Sequence, residues 1–168
     1  MLLAPDAPFV IPNHNGRAWW NLPERVRSFE ATEYIGVEKS FRLIEDDIFP
    51  VDVILGYSQG AILGSVLLAR SALGLNQGCA TKLILFGAAW PNPYSKIIKS
   101  FSVQDSSSGI PNNEASTLHV IGEKDAINPP ESALLLQHYV GGSYIMHPGG
   151  HIVPVDEEYI DKYVRFVL

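Results

Sequence analysis

A serine hydroxyl is a weak nucleophile until a base takes its proton, and that base must be held in one orientation by a third group. Gly56-Tyr57-Ser58-Gln59-Gly60 sets a serine between the apolar run Val51-Asp52-Val53-Ile54-Leu55 and a second one beginning Ala61-Ile62-Leu63. A buried strand followed at once by a buried helix needs a sharp, strained turn, with small neighbours so that the flanking chain can pass closely. Gly56 and Gly60 meet that need. The turn would lift the Ser58 hydroxyl above the sheet edge, at the positive end of the helix. The plainer alternative is an ordinary serine in a helix cap.

A partner acid and then a histidine are expected further along the chain, in that order. Asp125 follows the apolar run Thr117–Ile121 in Gly122-Glu123-Lys124-Asp125, and His151 follows Ser143–His147 in His147-Pro148-Gly149-Gly150-His151. Both positions fall just past the carboxyl end of a strand, where sites of parallel sheets form. Taken alone, Asp125 also reads as a turn or capping residue and His151 as a solvated loop histidine; Glu123 is the fallback acid. His119 alternates within a strand and reads as a hydrogen-bonded core or interface residue, and His138 belongs to a helix. His147 and His151 have metal-like spacing, but Pro148-Gly149-Gly150 prevents a helix from bringing them onto one face, so no metal site is expected. Trp19, Trp20, Trp90 and Tyr57 are candidates for lining an acyl pocket, set against the commoner role of aromatics as core.

These residues need elements to hold them. Five apolar runs read as strands: Leu2–Ala4, Val51–Leu55, Lys82–Phe86, Thr117–Ile121 and Ser143–His147. Several are continuously apolar, as in parallel strands buried on both faces. Between them lie helical patterns. Val37, Phe41, Ile44 and Ile48 share one face, Ala61–Leu73 is apolar nearly all round with Gly74 as its stop, and Pro129-Pro130 opens a helix towards Tyr139. Asp156 is placed to cap a last helix with Ile160, Val164 and Val167 inward. Strands alternating with helices predict a single-domain α/β chain over residues 1–168 with a mostly parallel sheet flanked by helices. The stretch from Val103 to Ser116, rich in Ser, Asn and Gly, reads as a mobile loop.

The bulk numbers exclude several other classes. A net charge of −6, from 12 Lys+Arg against 18 Asp+Glu, argues against nucleic acid as a partner. Cys79 is the one cysteine, which leaves no disulfide framework and reads as a small loop residue. No apolar stretch approaches the ~20 residues of a membrane helix, and Met1-Leu2-Leu3-Ala4-Pro5 lacks the basic start of a signal peptide, so a cytoplasmic address is expected. No cofactor is called for.

With its residues placed, the chain resembles the FSH family of small serine hydrolases, and more distantly the carboxylesterase and acyl-protein thioesterase family. The resemblance shows in Asp6-Ala7-Pro8, Arg17-Ala18-Trp19-Trp20, Gly56-Tyr57-Ser58-Gln59-Gly60-Ala61, Gly122-Glu123-Lys124-Asp125 and His147-Pro148-Gly149-Gly150-His151-Ile152-Val153-Pro154. It implies an α/β-hydrolase sheet, Ser58, Asp125 and His151 as nucleophile, acid and base, and hydrolysis of a small acyl ester or thioester. The departure is at the front. Family members open with a strand ending in Leu-His-Gly, whose loop donates one N–H to the oxyanion hole, whereas this chain opens on Leu2-Leu3-Ala4-Pro5-Asp6-Ala7-Pro8. Compared with the family it is therefore expected to be N-terminally truncated. The Gln59 N–H remains as oxyanion donor, His14-Asn15-Gly16 only superficially replaces the lost loop, and activity is expected to be impaired. The rival expectation is a non-catalytic binding protein on a hydrolase scaffold, with an exposed sheet edge open to self-association.

Overall fold

The computed structural model describes residues 1–12, 15–76, 78, 80–102 and 116–168. His14, Cys79 and the expected loop as far as residue 115 lie outside the described residues. The chain opens with a two-stranded antiparallel ribbon, β1 (Phe9–Val10) and β2 (Arg17–Ala18), followed by α1 (Val37–Asp47). Then strands and helices alternate: β3 (Val53–Tyr57), α2 (Gln59–Ala72), β4 (Lys82–Phe86), a 3₁₀ turn at Asn92–Tyr94 leading into α3 (Ser95–Phe101), β5 (Ser116–Gly122), α4 (Pro130–Val140), β6 (Ser143–His147) and α5 (Glu157–Val167). The four later strands form one parallel sheet in the order β3-β4-β5-β6, with Leu55 opposite Ile84, Ile84 opposite Leu118 and His119 opposite Tyr144.

Helix α2 is the spine of the molecule. Every residue from Ala61 to Ala69 is buried, because the helix is covered on both sides. Its Ala61, Leu68 and Ala69 pack with Leu83 and Leu85 of β4, Ile98 of α3 and Leu136 of α4. Its Ile62, Leu63, Val66 and Leu67 pack with Phe41 and Ile44 of α1 and with Trp20 and Tyr34. A two-pronged ion pair from Arg70 to Glu45, at 2.8 and 3.1 Å, fastens α1 to α2, and the same guanidinium lies 4.4 Å over the Phe41 ring. On the opposite sheet face Ile84, Phe86, Leu118 and Val120 meet Tyr163 of α5.

Three expectations need correction. Leu2–Ala4 is not a strand: the segment pairs with no strand among the described residues, and Leu2 is 87% exposed. In α5 the buried residue is Tyr163, not Ile160 or Val164, which are 42% and 48% exposed. Those two side chains overhang β3 together with Leu55, Ile84, Val167 and Leu168 in an apolar hollow of about 380 Å³, where the sheet has already ended. Asp156 does stand at the N-cap of α5, but its side chain makes no capping hydrogen bond.

Because β3 ends the sheet, its free side faces an open groove of about 750 Å³. Ile44 of α1, Ile48 just after it, Leu63 and Leu67 of α2, Val53–Tyr57 of β3 and Met1–Leu3 border it, as do Trp19 and Gly60.

Candidate active site

Ser58 ends up between β3 and α2, as its sequence context requires, with a positive φ (φ 54°, ψ −119°). Such strain in a residue that is not glycine costs about 1–3 kcal/mol and persists only where the surroundings impose it. Here they do. The Ser58 N–H donates to the Phe86 carbonyl at the end of β4 (2.9 Å), and the Ser58 carbonyl accepts from the N–H groups of Ala61 and Ile62. A Cβ on Gly56 would stand 2.7 Å from the Ala61 Cα and from the Gly60 carbonyl oxygen, so only glycine lets the strand pass the helix so closely.

Asp125 follows β5 and His151 follows β6, and the two loops are laced together: the Glu123 N–H donates to the His147 carbonyl (2.9 Å) and the Lys124 N–H to that of Gly149 (3.0 Å). This brings the three side chains into one chain. His151 Nε2 lies 2.8 Å from Ser58 Oγ, and His151 Nδ1 lies 2.7 Å from Asp125 Oδ2. The other Asp125 oxygen accepts from the N–H groups of Ile127 (2.9 Å) and Asn128 (2.8 Å). Asp125 is thus a turn residue and an imidazole partner at once, one oxygen for each task. Its side chain is 1% exposed, and a buried carboxylate needs that many partners. Glu123, the fallback acid, points to solvent.

Two residues around this chain, Asn128 and Gly87, escaped the sequence, and a third, Tyr57, makes a contact it did not suggest. The Asn128 side chain donates to the Gly87 carbonyl (2.6 Å), tying the loop after β5 to the end of β4. Gly87 has φ 55°, and a Cβ there would stand 3.0 Å from the His151 ring, so it leaves room for the imidazole. Tyr57 was expected to line a pocket. It does border the groove, and its hydroxyl also donates to the His151 carbonyl (2.7 Å) while its ring lies 5.0 Å from the imidazole. Burial and then the Asp125 charge push its phenol up, which keeps it a donor. A glycine after a strand was the only signal for Gly87; the other two contacts span 41 and 94 residues and leave no local trace.

The tryptophans divide. Trp90 is buried against α2, α3 and α4. Trp20, expected in the pocket, is instead 1% exposed and stacks on Tyr34 at 4.1 Å, because its neighbour takes the outward side. Trp19 lines the groove beside Gly60. Its N–H donates to the Gln59 side-chain carbonyl (2.8 Å), its carbonyl accepts from Ser40 Oγ of α1, and the Gln59 amide nitrogen donates to the Trp20 carbonyl (3.4 Å). The Gln59 backbone N–H, at the start of α2, has no acceptor among the described residues.

A sequentially ordered parallel sheet with crossover helices, and a strained serine at the first strand-to-helix turn, define an α/β-hydrolase fold. Solved structures agree on the fold: esterase PE8 superposes with a TM-score of 0.61 at 20% identity, over 99% of this chain and 78% of that one. A variant of SOBER1 from Arabidopsis thaliana gives 0.54 at 21% identity, over 98% and 80%. The family model described as serine hydrolase (FSH1) matches residues 4–163, and the chain belongs to that family. Among relatives, esterase OVCA2 of Danio rerio is 27% identical over 94% of this chain and 70% of its own length. An esterase of Caenorhabditis elegans is 30% identical over 91% of this chain and 70% of its own.

Proposed function

We propose that this chain hydrolyses small carboxylic esters or thioesters through an acyl-enzyme on Ser58. The observation that carries the reading is the unbroken hydrogen-bond chain from Ser58 through His151 to Asp125, at 2.8 and 2.7 Å. His151 takes the Ser58 proton as the hydroxyl attacks the acyl carbon, then returns it to the leaving alcohol or thiol; Asp125 holds the imidazole and offsets its charge. The Gln59 N–H faces the developing oxyanion at the positive end of α2. Water, deprotonated by the same imidazole, then releases the acid. The relatives named as esterases support the ester class of substrate.

The test is turnover of a short-chain aryl ester beside the matching thioester. Both should be hydrolysed by the parent and neither by Ser58→Ala. Equal turnover by the parent and Ser58→Ala would sink the reading.

One observation favours a second reading. Leu55 is 60% exposed on an edge strand, which suits a binding scaffold that pairs through β3. In that case the folded parent would show no turnover while still forming a complex through this edge.

A further inference from the structure

The loop from His147 to His151 carries the chain from the end of β6 to the imidazole beside Ser58, and the proposed mechanism uses only its last residue. The first residue, His147, is 2% exposed. Its Nδ1 accepts the Gly149 backbone N–H at 3.2 Å. A ring nitrogen accepts only when it carries no proton, so this bond requires a neutral imidazole with its proton on Nε2. A Cβ on Gly149 would stand 3.0 Å from that Nδ1 and 2.9 Å from Cδ1 of Ile152, so the ring lies directly on the backbone of the loop.

The loop is otherwise held from outside, through its carbonyl groups. Those of His147 and Gly149 accept from the Glu123 and Lys124 N–H groups at 2.9 and 3.0 Å, and that of His151 accepts from the Tyr57 hydroxyl at 2.7 Å. The N–H in the middle of the loop is met by the loop's own first side chain. The surroundings favour the form that can do this. Burial pulls the His147 pKa below the usual 6.5, and the carboxylates of Asp125 and Glu123, both past the end of β5, offset the effect only in part. From α5 the Tyr159 ring stands edge-on at 6.2 Å, with the Lys162 ammonium 5.2 Å from the centre of that ring.

We propose that His147 is a positioning residue of this site: its unprotonated Nδ1 fixes the Gly149 peptide and, through it, the aim of His151 at Ser58. This rests on the Ser58 hydrolase reading. A proton on Nδ1 would set two donors face to face, and the loop would lose its inner bond. His147 must therefore be neutral for His151 to work, and two ionisations rather than one limit turnover on the acid side.

Two variants separate the acceptor from the ring. Asparagine carries Oδ1 as many bonds from the backbone as Nδ1, accepts a hydrogen bond and does not titrate; leucine fills space and accepts nothing. On a short-chain aryl ester His147→Leu should lower kcat about 10- to 10²-fold with KM little changed, as for a misplaced catalytic group. His147→Asn should stay within about threefold of the parent. Towards acid pH, log kcat should approach a slope of two in the parent and of one in His147→Asn, with melting followed at each pH to show that both stay folded. A His147→Leu enzyme with the parent's kcat, one altered only in KM, a His147→Asn enzyme as slow as His147→Leu, or equal acid slopes in the parent and His147→Asn would each overturn the positioning role. Should His147→Leu not fold, the comparison with His147→Asn decides alone. In all these cases loss of activity in Ser58→Ala still reports on the hydrolase reading, whereas a parent with neither turnover nor active-site labelling removes both together.

Discussion

At the scale of single residues, the proposed mechanism requires that His151 present one nitrogen to Ser58 and the other to Asp125, as the distances of 2.8 and 2.7 Å allow. Asp125→Asn keeps the shape of the side chain, but the amide can hold the imidazole in the wrong tautomer. A loss of about 10⁴-fold in kcat with an unchanged melting profile is expected. An Asp125→Asn variant as active as the parent would remove Asp125 from the mechanism. In the proposed mechanism Tyr57 would act one step further out, as a positioning residue through its 2.7 Å bond to the His151 carbonyl. Tyr57→Phe forfeits one hydrogen bond worth ~0.5–1.5 kcal/mol, so kcat should drop roughly twofold to tenfold while KM stays put. A change confined to KM would return Tyr57 to the pocket wall. The turn at Ser58 and the placing of Asp125 and His151 past the ends of β5 and β6 were legible because each is a short local motif at a strand's end. Trp20 was misjudged for a related reason: two adjacent tryptophans must face opposite ways, and nothing local tells which one faces the core.

At the scale of elements, β4 and β6 were readable to their ends because they are short runs punctuated by Gly87, and by Gly142 and Pro148. The residues that a strand buries can still carry a cost that no pattern shows. His119, in the middle of β5, is 1% exposed, and neither ring nitrogen finds a hydrogen-bond partner among the described residues. The sequence led to a hydrogen-bonded histidine; the Gly141 carbonyl lies near enough to offset the effect in part, but no hydrogen bond forms. Burial therefore pulls its pKa down from 6.5 to about 4. Between those values the unfolded chain takes up a proton that the folded chain refuses, so stability falls as pH drops through that window and levels off above 6.5. The contribution amounts to about 3 kcal/mol at ~1.4 kcal/mol per pH unit. Urea midpoints measured at pH 7, 5.5 and 4.5 should fall less steeply for His119→Leu than for the parent. Parallel declines would show that other groups govern the acid limb.

Across the whole molecule, the open edge of the sheet is the feature that matters most. β3 presents its free side to the groove, with Leu55 exposed and the apolar overhang of Ile160 and Val164 beside it. An edge of this kind is a template for a further strand. The parent is expected to self-associate with rising concentration in light scattering, and Leu55→Lys, a charge on the edge, should return it to a monomer. A parent that stays monomeric at every concentration tested would show that the edge is not a pairing surface. The misplaced face of α5 was not legible: its register depends on where the sheet stops, which periodicity alone does not reveal.

The central claim is that the contact between Ser58 and His151 makes that one hydroxyl an activated nucleophile. Treatment with a fluorophosphonate, followed by peptide mapping, tests this whatever the substrate is. The adduct should sit on Ser58 alone, disappear in Ser58→Ala, and form far more slowly in His151→Ala. Labelling that survives Ser58→Ala, or that maps to another serine, would contradict the account.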